Sequence, residues 1–149
     1  MRFLFFTFFF TIFSQISLAK EITAVTHDGK DINELQLVIE NPQNCLKIKD
    51  IENEIKYIFS NSNIRIVNSS PYTLYVNANF LIDEIDGFCW GNINLEIYSY
   101  VWDKYDLVGS NVVWNTATII IKSAPYESYI LNSIAQKAKS AIVWINDNR

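Results

Sequence analysis

Histidine, cysteine, glycine and proline are all scarce in this chain, and each shortage removes a class of chemistry or architecture. The single histidine among 149 residues, His27, leaves no imidazole pair for zinc, and no Ser/His/Asp set stands in a plausible order around it. Two cysteines, Cys45 and Cys89, without CxxC spacing are too few for structural zinc. Four glycines and three prolines provide neither a flexible linker nor a Gly-rich phosphate loop. Basic residues are outnumbered, 12 Lys and Arg against 16 Asp and Glu, for a net charge of −4. That balance argues against a nucleic-acid surface and against a polybasic membrane surface. No metal and no cofactor are expected from these residue sets.

The amino terminus, MRFLFFTFFFTIFSQISLA, carries one cation, Arg2, before an apolar run from Phe3 to Phe13. Ser17-Leu18-Ala19 then places small residues where a signal peptidase reads, so residues 1–19 form a secretory signal peptide by pattern. The run falls well short of the roughly 20 residues that span a bilayer. No cysteine follows Ala19 directly, so lipid anchoring is not expected. No later stretch is long and apolar enough to span. Residues 20–149 are then expected to form one domain, periplasmic or secreted, made more negative by the loss of Arg2.

Past a polar segment in which Ile22, Ala24 and Thr26 alternate, 35-LQLVIE-40 has strand length and stops at Asn41-Pro42. The period then changes. Ile48, Ile51, Ile55, Ile58 and Phe59 recur at three and four, one apolar stripe of a helix over 47–61. A short strand, 64-IRIVN-68, precedes Ser69-Ser70-Pro71. In 72-YTLYVNANFLID-83, Tyr72, Leu74, Val76, Ala78, Phe80 and Ile82 share one face. In 91-GNINLEIYSYVW-102, Ile93, Leu95 and Ile97 alternate with Asn94, Glu96 and Tyr98. Period two marks a sheet with one buried face. The β-branched run 111-NVVWNTATIIIK-122 is a less clean third strand, after a loop at 103–110. Pro125 suits the first turn of a closing helix with small residues Ala135, Ala138 and Ala141. These elements predict an α+β two-layer sandwich: a mostly antiparallel sheet of four to five strands, with two helices on one face.

That plan resembles small periplasmic α/β modules. An early amphipathic helix, the meander PYTLYVNANFLID…WGNINLEIYSYVW…VVWNTATIII and an Ala-rich closing helix are similar to the amino-terminal domain of TolB. They are similar also to envelope lipoproteins that activate cell-wall synthases. The resemblance implies a binding or adaptor unit rather than an enzyme.

Two cysteines in an exported chain usually pair, so a Cys45–Cys89 disulfide is expected. Closing so long a loop contributes about 4 kcal/mol by chain entropy. A catalytic thiol would need a histidine partner, and His27 lies in the polar amino-terminal segment. His27 with Asp28 and Asp31 reads as a solvated turn rather than a cation site. Asp83, Glu84 and Asp86 beside Gly87 do not match the spacing of a calcium loop and suit a hairpin turn. Asn68-Ser69-Ser70 fits the N-glycosylation pattern but also reads as a plain turn before Pro71.

The remaining signal is aromatic. Tyr75, Tyr98, Tyr100 and Trp102 fall opposite the apolar alternation. Either they form a binding face, since Tyr and Trp bury much area with few rotors, or they pair across strands on a wet face. The sequence therefore predicts an exported, non-catalytic binding or envelope-associated module with no catalytic residues, whose partner is a protein or envelope component. Two alternatives stand beside it. One is a secreted hydrolase using Asp83, Asp86 or Glu96; the other is a secreted inhibitor or effector.

Overall fold

Alternating side chains write three long strands into the middle of the chain, and all three form. The structure is a computed structural model that describes residues 32–41, 45–83, 85–102, 107–123 and 125–149. The signal segment at 1–19, the alternation of Ile22, Ala24 and Thr26, and His27, Asp28 and Asp31 lie outside the described residues, as does Glu84. Among the described residues the order is β1 (Glu34–Glu40), α1 (Ile48–Ser60), β2 (Arg65–Val67), β3 (Tyr72–Asp83), β4 (Phe88–Trp102), β5 (Leu107–Ser123) and α2 (Glu127–Asp147).

One five-stranded sheet has the order β2-β1-β3-β4-β5. β1 runs parallel to both β2 and β3, and α1 supplies the crossover that a parallel β1–β2 pair requires. β3, β4 and β5 form an antiparallel meander. The fold is the expected α+β sandwich, with both helices packed over one sheet face around a single core.

The core follows the two periods. From α1 it takes Ile51, Ile55, Ile58 and Phe59; from α2 it takes Ile130, Ile134, Ala135, Ala138, Ala141 and Ile145. The alanines let α2 lie close to its neighbours. The sheet supplies Leu35, Leu74, Val76, Ala78, Phe80, Ile93, Leu95 and Ile97. Each large side chain sealed here contributes about 1.5–3 kcal/mol of transfer free energy. Asn61 ends α1: its Nδ2 donates to the Tyr57 carbonyl at 3.0 Å. Arg149, past α2, donates to the Ile32 carbonyl at 2.8 Å and ties the carboxyl end beside the start of β1.

Three boundaries and the burial of two residues differ from the sequence reading. β4 begins at Phe88, not Gly91, because Phe88-Cys89-Trp90 continues the same alternation with Cys89 inward. β5 begins at Leu107, which shortens the 103–110 loop. Pro125 precedes the N-cap, Tyr126, rather than joining the first turn; the Tyr126 carbonyl already accepts from Ile130 N at 2.9 Å. Ile48 and Ile82 belong to the apolar faces by spacing, yet both are exposed, because each stands at the end of its element.

β5 reads poorly in sequence because it is bulged. Ile97 pairs with Trp114 but Tyr98 with Val112, so Val113 is the extra residue and the inward parity changes there. Below the bulge the inward positions are Trp114, Thr116, Thr118, Ile120 and Lys122, only partly apolar. Lys137 of α2 donates to Thr116 Oγ1 at 3.1 Å, and burial lowers its pKa. Lys122 lies over the Tyr129 ring, 5.5 Å from its centre. A polar seam thus joins α2 to the edge strand.

The disulfide pins the start of α1 to the sheet. Cys45 and Cys89 are bonded, with Sγ–Sγ 2.06 Å and Cα–Cα 6.2 Å, across a sequence separation of 44. Both are buried, and no described cysteine is free. Gly87 closes the β3–β4 hairpin at φ 66°, a conformation that side chains other than glycine resist.

Candidate functional site

The sheet face away from the helices carries the aromatic residues singled out in sequence. Alternation sends Thr73, Tyr75, Asn77 and Asn79 of β3 to this face, and register sets them against Tyr98, Glu96, Asn94 and Asn92 of β4. β1 adds Val38 opposite Tyr75 and Glu40 opposite Asn77. The sequence did not single out Glu40, which reaches the site only through the parallel pairing of β1 with β3. Among the described residues, no helix or strand lies over this face.

The tyrosines are wired to carboxylates. Tyr75 OH donates to Glu40, and Tyr98 OH donates to Glu96. Asn94 Nδ2 donates to the other oxygen of Glu96 at 2.5 Å. Thr73 Oγ1 donates to Tyr100 OH at 3.1 Å, which helps bury Thr73 although it points to the outer face. The Tyr75 and Tyr98 rings meet edge to face, 5.9 Å between centres. Each phenol is pushed up to about 12: the hydrogen bond to Glu40 or Glu96 comes first, then burial, then the charge of those carboxylates. At neutral pH both are phenols, and both keep their donors committed.

The face is therefore rich in acceptors. Glu40 and Glu96 receive neutral donors; the described salt bridges, Lys56–Glu52 and Arg65–Glu34, lie elsewhere. Between Glu40 and Asn94 in register sits Asn77, whose Oδ1 is buried and has no hydrogen-bond partner. A buried acceptor without a donor carries a cost. Of the four predicted aromatic residues, Tyr75, Tyr98 and Tyr100 come together. Trp102 ends β4 opposite Leu107, and its side chain lies outside the described residues.

Of the carboxylates of the hydrolase alternative, Asp83 and Asp86 share the β3–β4 turn and Glu96 lies far from both. Asp83 Oδ1 accepts from Ile85 N at 3.0 Å and Asp86 N at 3.2 Å, as a turn cap. Asp86 is exposed. Asp83 pairs with Phe88, eight positions before Glu96 on β4; at ~3.4 Å per residue that is about 27 Å. Glycoside chemistry needs its two carboxyls within roughly 10 Å. In the glycosylation-like triplet, Ser70 Oγ donates to the Glu34 carbonyl at 2.9 Å and accepts from Tyr72 N, holding the turn into β3.

Toward the β3–β4 hairpin the same face becomes apolar. Leu81, Trp90 and Ile121 form one cross-strand row; Ile119 follows opposite Asn92, and Phe88 lies opposite Asp83. All five apolar side chains are exposed. Asn79, Leu81, Trp90 and Asn92 border a shallow hollow of about 240 Å³. Gly91 lets the strands close here: a Cβ on it would stand 1.9 Å from the Asn79 carbonyl oxygen. This apolar end was not anticipated. Its signal was the parity of β4 continued back to Phe88, which places Phe88 and Trp90 with Tyr98.

No protein-family model matches the chain, and no curated protein matches it.

Proposed function

We propose that this chain is an exported, non-catalytic binding module, periplasmic or secreted, and that the outer sheet face is its recognition surface. The observation that carries the reading is the tyrosine–carboxylate array, Glu40–Tyr75 beside Tyr98–Glu96, on a face that no described element covers. Rings held by hydrogen bonds lose little further entropy on binding, which favours them as contact residues. The supply of acceptors sets the chemistry of the partner. Glu40 and Glu96 suit a donor-rich surface, such as Lys or Arg side chains of an envelope or secreted protein. The disulfide and the similarity to periplasmic adaptor modules support the same setting.

The test has two arms. Export predicts that the protein recovered outside the cytoplasm starts after Ala19 and has no free thiol before reduction. Recognition predicts that partners captured by the wild type are lost by Glu40→Gln/Glu96→Gln and fall away as salt rises. Capture that ignores both the double substitution and salt would refute the face as the binding surface.

A further inference from the structure

The two edges of the sheet are built differently. β2, at one edge, is three residues long and carries Arg65, which pairs with Glu34 across to β1. Short, charged edges resist pairing with another chain. β5, at the other edge, is 17 residues long, and Lys122 is its only charged residue. Alternate N–H and C=O groups of such a strand point away from β4 and lack a strand partner. Its outward side chains are the most exposed apolar groups of the sheet: Ile119 is 82 % exposed and Ile121 73 %. Behind them stand Trp90 at 49 %, Leu81 at 41 % and Phe88 at 40 %.

We propose that β5 pairs antiparallel with β5 of a second copy, joining two sheets through residues 117–123 around a two-fold axis at Ile120. This register stays clear of the bulge at Val113. It sets Ile119 opposite the second copy's Ile121 and the reverse. The row Leu81, Trp90, Ile121 then continues into the second copy's Ile119 without a break. Lys122 falls opposite Thr118, so no like charges meet across the axis.

Register favours a copy of this chain over another occupant. An open edge calls for a strand. Residues 117–123 read against themselves set isoleucine against isoleucine on the outer face and Lys122 against Thr118 on the inner one, with no like-charge pair. Self-pairing also suits an acidic chain, since the meeting strands carry no acid. The proposal uses the apolar end of the outer face and does not depend on the tyrosine–carboxylate reading.

Sedimentation of the protein with its Cys45–Cys89 bridge formed is the test. The wild type should be a dimer at about 100 μM. Ile119→Lys/Ile121→Lys places four cations along the axis and should weaken dimerisation by roughly 100-fold or more. Both side chains are exposed, so the melting curve of diluted protein should not move. Val143→Lys, on an exposed apolar position of α2, should leave the dimer intact and so exclude general stickiness. In hydrogen exchange, the alternate amides of 117–123 that point away from β4 should be protected in the dimer and released in the double variant. A monomeric wild type at that concentration overturns the proposal. So does a dimer that survives the double substitution.

Discussion

On β4, Ile93, Leu95 and Ile97 are sealed, while their neighbours Asn94, Glu96 and Tyr98 stay partly exposed. The two faces of one strand thus answer to different constraints. The inner face is set by volume: whatever stands there must fill the space under α1 and α2. The outer face is set by pairing: the Tyr75 and Tyr98 hydroxyls find Glu40 and Glu96 on their own or a neighbouring strand, and Asn77 Oδ1 is the exception without a partner. Along that outer face a second difference appears. Its middle binds itself through Glu40–Tyr75 and Tyr98–Glu96, whereas its hairpin end leaves Trp90, Ile119 and Ile121 uncovered. The hydrogen-bonded tyrosines offer a partner a preformed surface with carboxylate acceptors, whereas the uncovered apolar groups offer a hydrophobic contact of a different kind.

Substitutions on the two faces should separate sharply. The largest loss is expected from Cys45→Ser/Cys89→Ser, about 4 kcal/mol from the freed loop. Denaturant unfolding checks it, and a loss near zero would mean that the bridge constrains little. Leu95→Ala comes next at about 3 kcal/mol, because it opens a cavity beneath the helices. One position away in parity, Tyr98→Phe should cost only about 1 kcal/mol, the worth of one hydrogen bond. If Tyr98→Phe cost as much as Leu95→Ala, the division between faces would fail.

Alkaline pH sharpens the comparison further. Tyr75 and Tyr98 hold their protons to about 12 in the fold, against an ordinary value of 10.0. Between these values the unfolded chain binds fewer protons than the native one, so stability falls as pH rises. The contribution of the two phenols is complete below pH 10.0 and is lost between there and about 12. Tyr75→Phe/Tyr98→Phe should flatten part of that decline, and tyrosinate absorbance of the wild type should show two late-titrating groups. The smallest effect on stability is expected from Ile119→Lys/Ile121→Lys, within about 0.5 kcal/mol. Its consequence should be confined to association.

Much of the fold was legible because volume writes regular periods. Ile51, Ile55, Ile58 and Phe59 marked α1, and the alternation through Leu74, Val76, Ala78 and Phe80 marked β3. The site was legible only in part. Tyr75, Tyr98 and Tyr100 stood out by parity, but Glu40 joins them through a parallel pairing that no local pattern encodes. The apolar end was hidden by two local effects. Gly91 looked like a strand start, although it is a close-approach position within β4. The bulge at Val113 broke the parity that would have shown Ile119 and Ile121 facing outward with Trp90.

The central claim is that the tyrosine–carboxylate face is where this protein meets its partner. Hydroxyl-radical footprinting of the isolated chain and of the captured complex tests it most directly. Protection should appear at Tyr75, Tyr98 and Tyr100 and not at Tyr57 of α1, which is 69 % exposed on the helical side. Protection at Tyr57 with unchanged labelling of the three sheet tyrosines would place the partner on the helices and contradict the account.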